Sequence, residues 1–121
     1  MSDSQKPTVA IDFDGVVHKY TTPFEEFDVI PDSIVPGIKD FLEELHKDYK
    51  IVIFTARVIN ERGLLAVTKF MKENNLPYDD ITSIKPYAIA YIDDRAITFT
   101  GVFNGLKDKI DTFIPWNKNR Y

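Results

Sequence analysis

The chain has 121 residues, 44% hydrophobic and 28% charged, with 15 Lys and Arg against 19 Asp and Glu for a net charge of −4. That length fits one domain with a sizeable core and is too short for two. The composition excludes global disorder, and the acidic balance argues against a partner held chiefly through phosphate-backbone electrostatics.

Residues 1–7, MSDSQKP, are polar and read as a flexible lead-in without the basic and apolar segments of a targeting signal. Thr8 to Phe13 is a short β-branched run that predicts a buried strand. Residues 15–35 form a loop-rich excursion with prolines at 23 and 31, within which FEEFDVI is a candidate for a brief strand. Pro36 and Gly37 introduce a helix to about Lys47, with Ile38, Phe41, Leu42 and Leu45 at helical spacing. Ile51 to Thr55 predicts a second buried strand. A second helix is expected from about Asn60 to Asn74, turning Leu64, Val67, Phe70 and Met71 inward and stopping at NNLP. Three further strands are expected near Ile81 to Ile84, Ala88 to Ile92 and Ile97 to Thr100. A short helix around Asn104 to Thr112 then leads into a polar tail with Trp116 and Tyr121.

Strands that alternate with helices, most of them apolar throughout, predict an α/β domain spanning 1–121, its mostly parallel five-stranded sheet covered on both faces. Ligands of such sheets bind outside the carboxyl ends of the strands. The polar residues of interest fall at that kind of position: Asp12 and Asp14, Thr55, Lys85, and the pair Asp93 and Asp94. Two carboxylates about 4 Å apart repel by roughly 4 kcal/mol at an effective dielectric near 20, so a rim carrying four of them must take up protons or cations. The chain has no cysteine, which rules out disulfides and thiolate zinc sites and leaves oxygen or histidine as metal ligands. Mg2+ suits such oxygen ligands, and a lysine and a strand-end threonine beside it suit phosphoryl chemistry.

The words DFDGV, IVIFTAR, IKP and IDDRA, in this order from Val9 to about Gly101, resemble the four motifs of the haloacid dehalogenase (HAD) superfamily of aspartate-nucleophile phosphohydrolases. The resemblance implies a three-layer Rossmann-like sandwich and a Mg2+-dependent phosphomonoester hydrolase. In that scheme Asp12 is the nucleophile that forms an aspartyl-phosphate, and Asp14 is the acid and base that also offers its backbone carbonyl to the metal. Thr55 bonds the transferring phosphoryl group, and Lys85 holds the nucleophile. Asp94 is a direct Mg2+ ligand, with Asp93 beside it as ligand or outer support. Val16 stands where many members carry threonine. Gly15, Ala56, Arg57 and His18 are the substrate-side candidates. Gly15 is expected to turn the chain sharply and bring amides near phosphate.

Plainer roles stand beside these. Aspartates after strands serve as turn residues, Lys85 before Pro86 can be a solvated loop lysine, and a lone loop histidine such as His18 is often a surface residue. Arg57 and Arg95 can bind phosphate or anchor a neighbouring carboxylate, and His46 fits the C-terminal end of its helix.

The spacing between motifs leaves no room for a cap domain. An open site suits a large substrate, such as a nucleic-acid end or phosphoprotein, or a small one such as a nucleotide enclosed by a homo-oligomer partner. The words TAR and IDDR are also loosely similar to the phosphatase domain of polynucleotide kinases. A phosphotransferase, or a phosphate-binding module without turnover, are the other readings of the same residues. No run approaches membrane-spanning length, so a cytoplasmic protein with no membrane partner is expected.

Overall fold

The computed structural model describes residues 6–117; most of the lead-in, and Tyr121 of the tail, lie outside the described residues. Eight residue ranges carry the architecture: β1 (Thr8–Asp12), α1 (Ile38–Leu45), β2 (Lys50–Phe54), a 3-10 helix (Ala56–Ile59), α2 (Glu61–Glu73), β3 (Asp80–Thr82), β4 (Ala90–Ile92) and α3 (Leu106–Asp111). The sheet has four strands in the order β3-β2-β1-β4, and every pairing is parallel.

Strand phase decides what faces the core. Val9 and Ile11 of β1 lie in register with Ile51 and Ile53 of β2, and all four join Ile38 and Leu42 of α1 and Val67 and Met71 of α2 in one buried cluster. Both long helices therefore cover the same face, as right-handed crossovers running in one direction along a parallel sheet require. Ala10 and Val52 point the other way, and so does Asp12, which the alternation keeps out of the apolar core. The connection from β3 to β4 is short, residues 83–89, and carries no helix, while α3 buries no residue. The fold is α/β with a parallel sheet, and its helices are few.

Helix ends follow the sequence closely. The Asn60 side chain accepts the Gly63 amide at 2.8 Å and starts α2. Asn74 closes it, Asn75 turns left-handed at φ 54°, and the Leu76 amide returns to the Met71 carbonyl. His46 is the residue that ends α1. The buried stripe is narrower than the periodicity implies, since Phe41 and Leu64 are both 40% exposed.

Two expected strands do not form, which corrects the five-stranded sheet. Ile97 to Thr100 lies in no strand: Phe99 packs its ring on Phe103 at 4.9 Å, and Gly101 at φ 95° turns the chain between them. FEEFDVI forms no strand either, because the carbonyls of Glu26, Phe27 and Val29 all accept hydrogen bonds from the Arg57 guanidinium instead of a neighbouring strand. None of the helices among the described residues is long and apolar enough to cross a membrane.

Gly63 sits where α2 crosses the 3-10 helix, and a Cβ there would overlap the Arg57 carbonyl. Glycine to alanine in a helix ordinarily stabilises by roughly 0.5–1 kcal/mol; here overpacking against backbone reverses the sign, and Gly63→Ala should cost about 1–3 kcal/mol. Urea denaturation measures it, and a midpoint at or above that of the parent chain would contradict this packing.

Candidate active site

The parallel pairing of β1 with β4, from Val9 with Ala90 to Ile11 with Ile92, carries both strands to the same end of the sheet. There Asp12, Asp93 and Asp94 each offer a carboxylate oxygen, all within 4.8 Å of one another. After β1 the chain reverses in a tight turn: the Phe13 carbonyl accepts the amides of Val16, Val17 and His18, and Gly15 donates its own amide to the His18 carbonyl at 2.7 Å. Gly15 has φ 90°, and a Cβ on it would overlap the Asp94 carboxylate. Only glycine admits both this turn and the close approach of Asp94. The Gly15 amide is thus spent inside the turn and not offered to a ligand. On the β4 side Arg95 donates its amide to Asp93 Oδ1 at 2.9 Å and closes a second turn.

The electrostatics are unbalanced. Both carboxylate oxygens of Asp94 are out of contact with solvent and meet no donor besides the proton that the Asp12 carboxyl can share, although buried polar atoms are almost always paired. Burial first, then the adjoining Asp94 carboxyl and the charges of Asp93 and Asp14, push Asp12 from 3.8 up to about 9. Burial raises Asp94 as well. Three carboxylates this close, Asp94 among them with its oxygens out of solvent, fit a hard divalent cation. Asp12, Asp93 and Asp94 are the residues that would hold it.

Asp14 takes a different partner set. Arg57 Nε donates to both of its oxygens at 3.0 and 2.8 Å, and His18 Nδ1 lies 2.9 Å from Oδ1. The Asp32 amide donates to His18 Nε2 at 3.0 Å, so the proton of a neutral ring is on Nδ1, which donates to Asp14. His18 is fully buried and Arg57 is 2% exposed. Of the two roles open to Arg57, the structure places it as the anchor of a carboxylate. Its Nη1 goes to the carbonyls of Glu26, Phe27 and Val29. His18, expected beside the substrate, is instead a buried support of Asp14.

Thr55 follows β2 directly and caps the 3-10 helix, its Oγ1 accepting the Arg57 amide at 3.2 Å. Asp12, Asp14, Thr55, Ala56 and Asp94 line one cavity of about 260 Å³. Lys85 does not join them: it is exposed, and its ammonium lies 4.2 Å from the centre of the Tyr91 ring. No described carboxylate makes a salt bridge with it.

Sequence reasoning missed three contributors. Phe24 and Phe27 line the same cavity, brought there by the Arg57 bonds to their loop; nothing in FEEFDVI signals that contact. Trp116 donates its indole N–H to the Gly15 carbonyl at 2.6 Å across 101 positions of sequence, and no local pattern announces a bond of that span. Comparison of the chain with protein-family models, with curated proteins and with solved structures finds no match.

The raised Asp12 makes stability depend on pH. Between 3.8 and about 9 the folded state holds a proton on Asp12 that the unfolded chain releases, so cation-free stability falls as pH rises through that window. With chelator present the melting temperature should drop across it, and Asp12→Asn should flatten the drop. A parent chain whose melting temperature rises steadily from pH 5 to pH 9 would refute the assignment.

Proposed function

We propose that the chain is a Mg2+-dependent phosphomonoester hydrolase working through an aspartyl-phosphate on Asp12. The observation that carries this is the meeting of the Asp12, Asp93 and Asp94 carboxylates within 4.8 Å of one another, with Asp12 and Asp94 lining one cavity beside Asp14 and Thr55. The order of the four HAD-like motifs supports the same reading. A bound Mg2+ would supply the positive charge that lets Asp12 ionise and offsets charge on the phosphoryl group.

The chain's own groups account for the proton and bond changes. An Asp12 oxygen attacks phosphorus, the bond from phosphorus to the ester oxygen breaks, and Asp14 gives that oxygen its proton. Water then attacks phosphorus, Asp14 takes a proton from it, and the bond to Asp12 breaks to release phosphate. Arg57 and His18 hold Asp14 in one orientation for both transfers. The Thr55 hydroxyl donates to no described residue, which leaves its proton for a phosphoryl oxygen.

Two placements favour a second reading, a cation-binding module without turnover. Lys85 stands off the cavity, and Asp14 accepts from Arg57 and His18, the arrangement of its charged form. Turnover separates the two readings. With Mg2+ the chain should hydrolyse p-nitrophenyl phosphate, chelator should abolish the activity, and Asp12→Asn should lower it by roughly 10³-fold or more. Acid quenching should trap phosphoryl label on the parent chain and none on the variant. Full activity in Asp12→Asn would sink the nucleophile assignment, and calorimetric Mg2+ binding without hydrolysis of any ester would select the module.

A further inference from the structure

The cavity that holds Asp12 and Thr55 is not lined by polar groups alone. Tyr20, Phe24 and Phe27 form part of the same lining. Phe24 is 47% exposed; it meets Phe27 edge to face at 5.5 Å, and the Arg57 guanidinium carbon lies 5.2 Å from its ring centre. A half-exposed ring beside a charged cavity is unfavourable in water and gains by covering itself with another flat apolar surface.

The loop that carries these rings is held at two places. Arg57 Nη1 binds the carbonyls of Glu26, Phe27 and Val29. Earlier in the loop, the Asp32 carboxylate accepts the amides of Thr21 and Thr22 and the Thr22 hydroxyl at 2.7–2.9 Å. Rings fixed in this way pay little ordering entropy on meeting a ligand. The anchor is also the residue that holds Asp14, so the aromatic wall and the acidic floor share one support.

We propose that this wall is a leaving-group subsite, and that the phosphomonoesters it takes carry a nucleobase. The proposal rests on the phosphomonoester reading above. Its chemistry is common to a free nucleotide and to the terminal nucleotide of an oligonucleotide, since both place a flat heteroaromatic ring one sugar away from the phosphate. A glycerol or sugar phosphate finds in these three side chains a single hydroxyl, that of Tyr20, and no flat surface of its own to lay against Phe24. Stacking on a ring accepts every base, so the subsite selects bases over aliphatic groups with weak preference among the bases.

Calorimetry on the full chain with Mg2+ compares adenosine 5′-monophosphate, uridine 5′-monophosphate and glycerol phosphate, with hydrolysis of each followed separately. Both nucleotides should bind about tenfold or more tighter than glycerol phosphate. Phe24→Ala should reduce that ratio about tenfold, and Phe24→Trp should retain it. Equal binding of nucleotide and glycerol phosphate, or a ratio unmoved in Phe24→Ala with the fold intact by circular dichroism, overturns the subsite. Hydrolysis without base preference removes the subsite and leaves the phosphatase; base-selective binding without hydrolysis does the reverse. Thymidylate oligonucleotides phosphorylated at the 5′ or the 3′ end form the remaining arm. Preference for an end over the mononucleotide identifies nucleic acid as the source of the base, and preference for the mononucleotide identifies free nucleotide.

Discussion

Three carboxylates meet at one end of a parallel sheet, and the molecule spends much of its local structure on keeping them there. Asp12 ends β1, while Asp93 and Asp94 follow β4, and the register between the two strands leaves them no alternative but proximity. Like charges at such separations repel by several kcal/mol at intermediate dielectric. Among the described residues Arg57 is committed to Asp14 and Lys85 to the Tyr91 ring, and Arg95 is the cation whose charge acts on Asp94. Protonation of Asp12 relieves the crowding in the absence of metal. The cluster is consequently poorly satisfied as a purely structural element, in contrast to the fully bonded turns on either side of it.

Arg57 organises the other half of the site. Buried arginines are costly unless their donors find acceptors; here Nε is answered by the Asp14 carboxylate and Nη1 by three loop carbonyls. Those carbonyls belong to a segment whose composition suits a strand. Side-chain donors substitute for the missing strand partner, and an extended stretch becomes an irregular wall beside the cavity. His18 completes the arrangement from below the turn, held by the Asp32 amide on one nitrogen and bonded to Asp14 through the other.

The legible parts of the fold are those set by local chemistry. The asparagine caps at Asn60 and Asn74 and the apolar runs of β1 and β2 lie in short windows of sequence, and each forms within a residue or two of where it was expected. The convergence of Asp12, Thr55 and Asp94 follows from parallel topology and was legible for that reason. The illegible parts depend on distant contacts. Whether Ile97 to Thr100 adds a strand is decided by Phe99 finding Phe103, and whether FEEFDVI pairs is decided by an arginine some thirty residues on. The place of Lys85 in the loop after the third strand puts it at the same rim by topology alone, whereas the helix-free connection that follows β3 carries its ammonium to an aromatic ring. Both Phe41 and Leu64 had the right period for burial, yet small helices on one face of a four-stranded sheet cover less area than the period implies.

The bond from the Trp116 indole to the Gly15 carbonyl joins the far end of the described chain to the turn that follows Asp12. It closes a loop of about a hundred residues by a non-covalent clasp, and the chain has no other tryptophan. Any event that shifts the Gly15 turn, including entry of a charged ligand next to Asp94, is therefore felt by the one indole in the molecule. The intrinsic fluorescence of this protein is a built-in reporter on the state of its carboxylate cluster, available without labelling.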